Sequence, residues 1–371
     1  MSEKNYQLAV ELRHELHQHP EPSMEEVWTK QRLLDFMKEN TTQWEIHDRG
    51  RWLYAKYSGT NPTKKIAFRG DFDAVPVPDE IDKPYKSLNP GWGHKCGHDG
   101  HVANLCYMAM EVEEQGMEND IYLIFQHGEE IGGGGEECSQ LIDEEGIDEI
   151  YAFHCYTGFP KNHAVFKNGT MCCASKGMEI KFTGAPAHAS TPEHGRNPAL
   201  AIAHIINGIP ALIDPTTHKG LVLATVIQVD VGERAFGVSA HQGVLLLTIR
   251  GEYEDEMDQL QASLEAMVQE QATQYGLEWE IAYYDEFPLT ANHDECADKV
   301  RAACAKLGIP IVTQTEPNRG SEDYGYYMKK TKGAFFWISG GEDLSPCHCD
   351  GFDFDDEQMK IATSIFMELA K

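Results

Sequence analysis

Three apolar, strand-like runs in this chain each stop on acids or a histidine. They are "KKIAFRGDFDAVP", ending at Asp71 and Asp73, "DIYLIFQHGEE", ending at Glu129 and Glu130, and "EIYAFHCY", ending at His154. Helical spacing follows in "HVANLCYMAMEVEEQ" and "EECSQLIDEEG". Strand and helix alternating at this interval predict an α/β domain with a mostly parallel sheet. Such sheets bind ligands beyond the C-terminal ends of their strands, where these polar residues fall.

Upstream, Leu8, Leu12 and Leu16 share one helical face over residues 5–18. Ser23 with Glu26 three residues on predicts a capping box for a helix over 24–39. The pattern changes near residue 175. "KGMEIKFTG", "NPALAIAHIINGIPALI", "GLVLATVIQVDVG", "GVLLLTIRGEY", "DEMDQLQASLEAMVQEQATQYG" and "LEWEIAYYDEFP" read as strand, helix, two strands, helix, strand. That βαββαβ order is a ferredoxin-like unit. The expected organisation is a discontinuous metal-binding catalytic domain, 1–174 and 286–371, with a lid or dimerisation domain inserted at 175–285.

A chain of 371 residues exceeds one ordinary core, in keeping with two domains. Its formal net charge of −29 repels phosphate backbones and anionic lipid, so neither nucleic acid nor membrane is an expected partner. The first twenty residues lack an apolar signal core, and no run of about 18 apolar residues occurs. Ten scattered cysteines then read as reduced thiols or metal ligands, and the expected location is cytoplasmic.

The stretch "HKCGHDGH" admits three readings. Cys96 and His98, two residues apart, can share a face and reach one ion. A thiolate with a histidine base is the second reading. The third is a polar loop in which Asp99 caps the following helix and the histidines are solvated. Other segments favour metal. Adjacent Glu129 and Glu130 repel unless a cation or proton intervenes, and one as ligand with one as base is a common solution. His154 ends an apolar strand, and "SPCHCDGFDFDDE" adds His348 between two cysteines. One thiolate, three histidines and a carboxylate suffice for two divalent ions with positions open to water.

The chain resembles the zinc-dependent aminoacylase/carboxypeptidase metallopeptidases. It is most similar to the amidohydrolase branch of hippurate hydrolases, N-acyl-amino-acid hydrolases, auxin-conjugate hydrolases and N-acetyl-diaminopimelate deacetylases. The matching stretches are "LRHELHQHPEPSMEE", "RGDFDAVP", "KCGHDGH", "FQHGEEIGGGG", "FHCYTGFP", "GAPAHAS", "RGSEDYGYYM" and "CHCDGFDFDDE", in family order over almost the whole chain. The resemblance implies two divalent ions, zinc or else manganese, cobalt or nickel. It implies Cys96, His98, Glu130, His154 and His348 as their ligands, with Cys96 bridging, and Glu129 as general base. Asp73 would support a ligand, and Asp71 stands where other branches carry a metal-binding histidine. His188 would stabilise the oxyanion, often across a homodimer interface. The implied substrates are N-acyl amino acids, with dipeptides or other small peptides as the alternative, and a non-catalytic binding protein as the rival class. A substrate carboxylate needs a cation, for which Arg319, Arg250 and Arg196 are candidates. Glu322 and Asp99 are candidates for orienting a ligand. The chain departs from the family pattern at His127, where proline is usual, at Cys347 and Cys349 around His348, and at "AFGVSA".

Overall fold

The computed structural model describes residues 1–371, which form two compact units. The larger comprises Met1–Met171, Thr290–Pro317 and Glu322–Lys371. The smaller comprises Cys172–Leu289 with the short return Asn318–Ser321, a segment that carries no domain signal in the sequence.

In chain order the strands of the larger unit are β1 (Trp44–Asp48), β2 (Leu53–Tyr57), β3 (Lys65–Asp71), β4 (Asp120–Gln126), β5 (Glu149–Tyr156), β6 (Ala164–Phe166) and β7 (Gly169–Cys172). The smaller unit contains β8 (Ala174–Thr183), β9 (Val222–Val231), β10 (Gln242–Gly251) and β11 (Glu278–Phe287). The larger resumes with β12 (Thr290–Asn292), β13 (Ile311–Thr313) and β14 (Lys332–Ser339). The helices are α1 (Glu3–Gln18), α2 (Val27–Asn40), α3 (His98–Gln115), α4 (Gly134–Cys138), α5 (Gln140–Glu145), α6 (Ala199–Leu212), α7 (Glu254–Tyr275), α8 (Asp294–Leu307), α9 (Gly325–Met328) and α10 (Glu357–Leu369).

The main sheet runs β1-β2-β4-β3-β5-β14-β6-β13. Its centre, β4-β3-β5-β14, is parallel, and antiparallel pairs flank it. Burial on both faces explains the nearly continuous apolar runs "KIAFRGD" and "DIYLIFQ". Helix α3 packs against β3 on one side and α1 and α10 on the other, so it is buried all round from His98 to Val112. Because β4, β3 and β5 are adjacent and parallel, their C-terminal ends present Glu129, Asp71 and His154 along one edge, and α3 begins there too.

The smaller unit is a four-stranded antiparallel sheet, β11-β8-β10-β9, with α6 and α7 packed on it, as the ferredoxin-like reading expected. Alternating residues of β8 and β10 (Met178, Ile180, Phe182; Leu245, Leu247, Ile249) meet Ile202, Ile205, Leu260 and Leu264 of the helices in its core.

Two local expectations fail. Helix α1 buries Asn5, Tyr6, Ala9, Leu12, Arg13, Leu16 and His17, so its inward stripe includes the polar residues Asn5, Arg13 and His17, and Leu8 is only partly buried. The expected capping box does not form. Helix α2 starts at Val27, and the Glu21 carboxylate accepts the amides of Trp28 (3.0 Å) and Thr29 (2.8 Å). Ser23 is drawn away by a buried acceptor, Asp73.

At the opposite end of the sheet, buried Glu149 opens β5. It accepts from Lys299 (2.5 Å), Tyr151 (2.7 Å) and Lys64. Burial raises its carboxyl, but the hydrogen bonds from Lys299, Lys64 and Tyr151 outweigh that and bring it to about 2. A carboxyl that is more acidic folded than unfolded stabilises the fold above its unfolded value. That contribution is lost as pH falls through the folded value. Glu149→Gln should cost about 1–2 kcal/mol near neutrality, after screening at two part-exposed lysines. In urea titrations the gap between variant and parent should close as pH falls from 4.5 toward 2.

Candidate metal centre

Cys96 ends the loop into α3, and Gly97 (φ 84°) makes the turn. A Cβ on Gly97 would lie 2.3 Å from the Cys155 sulfur, so only glycine satisfies both the backbone and the packing. His98 is the first helical residue. Its Nδ1 lies 3.0 Å from Asp73 Oδ1, which fixes the ring proton on Nδ1 and turns Nε2 toward the strand ends. There Nε2 has no hydrogen-bond partner although buried, and faces Asp71 (3.7 Å), Glu130 (3.8 Å) and Glu129 (3.9 Å). His154 is fixed in the same way. Its Nδ1 donates to the Cys155 carbonyl at 2.6 Å, leaving Nε2 bare 3.4 Å from Cys96 Sγ. His348 Nε2 lies 3.3 Å from the same sulfur and 3.2 Å from Glu130 Oε1.

The ligand atoms of Cys96, His98 and His154 lie within 4.8 Å of one another, and so do those of Cys96, Glu130 and His348. Cys96 belongs to both groups, which is what a bridging thiolate between two ions requires. Five residues from four separate segments thus meet, and their imidazole nitrogens, thiol and carboxylate suit borderline-soft divalent ions. Asp73 organises them. Besides His98 it accepts the Glu130 amide (2.9 Å) and the Ser23 hydroxyl (2.7 Å).

The electrostatics favour cations. Burial opposes a charge on His98, but Asp71, Asp73 and Glu130 outweigh it and hold the imidazole well above the usual histidine range. Glu129 is buried, and burial, then the negative charges of Glu322 and Glu130, push its carboxyl well above the ordinary value. Arg69 beneath the site donates to Asp71 (2.5 Å) and Asp323 (2.7 Å) and pairs with Glu322 (3.0 Å). Burial raises Glu322 to about 8 and Asp323 to about 6 in spite of it. Glu322 touches no ligand residue, so its expected orienting role is corrected to a charge beside Glu129 and a partner of Arg69.

Three residues of "HKCGHDGH" need correction. Asp99 does not cap α3, which has Gly97 at that position. Its Oδ2 pairs with His17 (2.7 Å) and Arg13 (3.5 Å) of α1, so it orients no metal ligand. His101 is not solvated. Its Nδ1 meets Asp71 Oδ1 at 2.6 Å and its Nε2 accepts the Cys155 amide at 3.0 Å, which uses both nitrogens and leaves none for an ion. His94 is buried as well, with neither ring nitrogen hydrogen-bonded, and burial lowers it to about 4. His127 lies apart from the ligand groups, against Cys138 and Glu137. All ten cysteines are free thiols.

The smaller unit carries the remaining candidates. His188 is exposed, and its Nδ1 accepts the Ser190 amide at 3.1 Å, which leaves the ring proton on Nε2 as an outward donor. Arg250 is half-buried and donates to the Arg319 carbonyl (3.0 Å) and Ser321 Oγ (2.7 Å), with no carboxylate in ion-pairing range. Arg196 and Arg319 are exposed. Ser23, Lys95 and His101 were not singled out as functional by their sequence context. Their only signal is proximity to a motif, because their partners lie elsewhere in the chain.

The sequence signature of peptidase family M20/M25/M40 matches residues 67–371. The N-acetylcysteine deacetylase of Bacillus subtilis is 26% identical over 367 residues, which cover 97% of this chain and 95% of that protein. Thermostable carboxypeptidase 1 of Saccharolobus solfataricus is 27% identical over 371 residues, covering 95% and 92%. The crystal structure of Bacillus subtilis YXEP, a dinuclear metal binding peptidase from the M20 family, matches with a TM-score of 0.85 at 25% identity, over 100% of this chain and 98% of that one. The chain belongs to peptidase family M20/M25/M40. It is a metal-dependent hydrolase, and its cofactor is a pair of divalent ions. No helix is long and apolar enough to cross a membrane.

Asp73→Asn should weaken metal binding about 10- to 100-fold without removing a ligand, because it frees the His98 ring and the Glu130 backbone together. Competition against a chelator, read by metal analysis, checks this.

Proposed function

We propose that the protein hydrolyses the amide bond of N-acyl amino acids, releasing a carboxylic acid and a free amino acid. The observation that carries this is the pair of ligand groups sharing Cys96, with the buried Glu129 carboxylate 3.9 Å from His98 Nε2 beside them. Cys96, His98 and His154 would hold one ion, and Cys96, Glu130 and His348 the other. Bound there, divalent ions bring the pKa of water toward neutrality and polarise the scissile carbonyl. Glu129 takes the proton of the attacking water and delivers it to the leaving amine. Its raised proton affinity suits a group that must hold that proton between the two steps. The His188 Nε2–H is the kind of donor a developing oxyanion needs.

Arg250 is the preferred receiver of the substrate carboxylate. In a chain of 60 acids it has no acidic partner, and burial lowers its pKa, so an incoming carboxylate meets an unneutralised fork of donors. The relatives named for deacetylation support the N-acyl reading, and the carboxypeptidase supports the alternative, a small-peptide hydrolase using the same metal residues. We also infer a homodimer formed through the smaller unit. Supporting it, β9 is an edge strand and leaves Val226, Ile227 and Val229 exposed. Sedimentation at twice the chain mass checks it. We infer a cytoplasmic location as well, supported by ten cysteines that are all free thiols.

Hydrolysis of acetyl-, benzoyl- and lactoyl-amino acids should be compared with that of dipeptides, with zinc, manganese or cobalt supplied. Higher kcat/KM on the N-acyl set is expected, and faster dipeptide cleavage would select the alternative. Glu129→Gln should lower kcat by about 10²–10⁴-fold while two ions remain bound. Full turnover in that variant would sink the assignment of the base. Arg250→Leu should raise KM for N-acyl amino acids and erase their advantage over the corresponding amides, which lack the carboxylate.

A further inference from the structure

His348 is the ligand residue with the least to hold its ring. The side chain is 51% exposed, and its Nδ1 has no orienting partner of the kind that Asp73 gives His98 and the Cys155 carbonyl gives His154. Its backbone is left-handed (φ 64°), which a residue with a Cβ adopts only where its surroundings impose it. Yet Nε2 stands 3.3 Å from Cys96 Sγ and 3.2 Å from Glu130 Oε1. The placement therefore comes from the main chain of the turn that carries the ring.

Lys95 grips that turn at both ends. Its carbonyl accepts the His348 amide at 2.7 Å, and its ammonium donates to the Phe352 carbonyl at 2.8 Å. Between those points the Phe352 amide donates to the Cys349 carbonyl and the Glu80 amide to the Asp350 carbonyl, both at 3.0 Å. Lys95 is fully buried, and a buried ammonium is tolerated only with a counter-charge and acceptors. Asp79 supplies the charge, and is itself anchored by the Ser87 amide (2.7 Å) and His17 Nε2 (3.2 Å). The aliphatic stem runs over Gly93, where a Cβ would lie 3.1 Å from Lys95 Cε. The ammonium is thus fixed from the side of the ligand loop, and the turn is what it fixes.

The other ligand group does not lean on this side chain. The Cys155 thiol donates to the Cys96 carbonyl at 3.2 Å, and His98 and His154 are held through their own Nδ1 atoms.

We propose that Lys95 is a positioning residue for His348. It registers the 348–352 turn against the ligand loop and so sets the affinity for the ion that Cys96, Glu130 and His348 would hold, leaving the ion of Cys96, His98 and His154 unaffected. The assignment rests on the two-ion reading above.

The test uses the full chain with Lys95→Met, which keeps the buried stem and removes the ammonium. A second variant combines Lys95→Met with Asp79→Asn, which also discharges the carboxylate left behind, and it serves if the first does not fold by circular dichroism. Zinc binding is read by competition against a chelator with metal analysis. Carbethoxylation of each histidine is read by mass spectrometry at zinc levels that saturate the parent. The variants should keep one ion at the parent's affinity and bind the other about 10- to 100-fold more weakly. His348 should lose its protection from carbethoxylation while His154 keeps its own. Two ions at parental affinity with His348 protected overturn the proposal and leave Lys95 as no more than the partner of Asp79. Equal weakening of both ions also overturns it, since a general loosening of the fold gives that result. A parent chain that binds fewer than two ions rejects the two-ion reading itself, and this assignment with it.

Discussion

At the C-terminal edge of the main sheet one buried guanidinium faces more carboxylates than it can neutralise. Arg69 is bonded to Asp71 and Asp323 and paired with Glu322, and Asp73, Glu129 and Glu130 stand on the other side of Asp71. Burying uncompensated carboxylates costs several kcal/mol each, so a fold that gathers them must supply positive charge or protons. The chain does some of each. Arg69 holds Asp71 ionised in spite of burial, while Glu322 and Glu129 rise toward the protonated form. The remaining deficit falls beside His98 Nε2, a buried nitrogen left without a hydrogen-bond partner. Two divalent ions answer that deficit at the place where ligand atoms converge.

Charge alone does not make a catalytic site; the ligands must also be held still. Asp73 accepts from three partners on three segments, so the helix start, the Glu130 turn and the loop before α2 share one carboxylate. The Asp71–His101–Cys155 chain does the same for β3, α3 and β5. Hydrogen bonds that select the tautomers of His98 and His154 aim bare nitrogens at the ions. That removes the reorganisation a solvated histidine would need before binding.

The parts legible in sequence were those fixed by strand register. Asp71, Glu129 and His154 follow apolar runs, and any parallel arrangement of those runs brings their ends to one edge. The ferredoxin-like order was legible for the same reason, since period and turn signals are local. Side-chain partnerships were not. Ser23 has a local use as a helix cap and a distant one as a donor to Asp73, and the buried acceptor wins because leaving it short of donors costs more than losing a cap. Asp99 reads as a cap for the same local reason. Its actual partners, Arg13 and His17, are more than 80 residues away, with no periodicity to announce them.

His348 poses the hardest positioning problem, being exposed, left-handed in backbone and, in chain order, 252 residues from Cys96 and 218 from Glu130, the rest of its ligand group. The acidity of the chain helps to solve it. The segment after His348 carries Asp353 and Asp356, and both reach Arg13 of α1, at 2.9 and 2.8 Å. Asp353 also accepts from Tyr85, and Asp356 lies 2.9 Å from His14. The same guanidinium meets Asp99, two residues before His101, and His17 joins Asp99 to Asp79, the partner of Lys95. The N-terminal helix therefore ties the segment of the last ligand to that of the first by a continuous ion network, buried at Arg13, His17, Asp79, Lys95 and Asp99 and part-exposed at Asp353 and Asp356. Its polar stripe, which spoils the amphipathic pattern of α1, is the part of that helix the metal centre depends on.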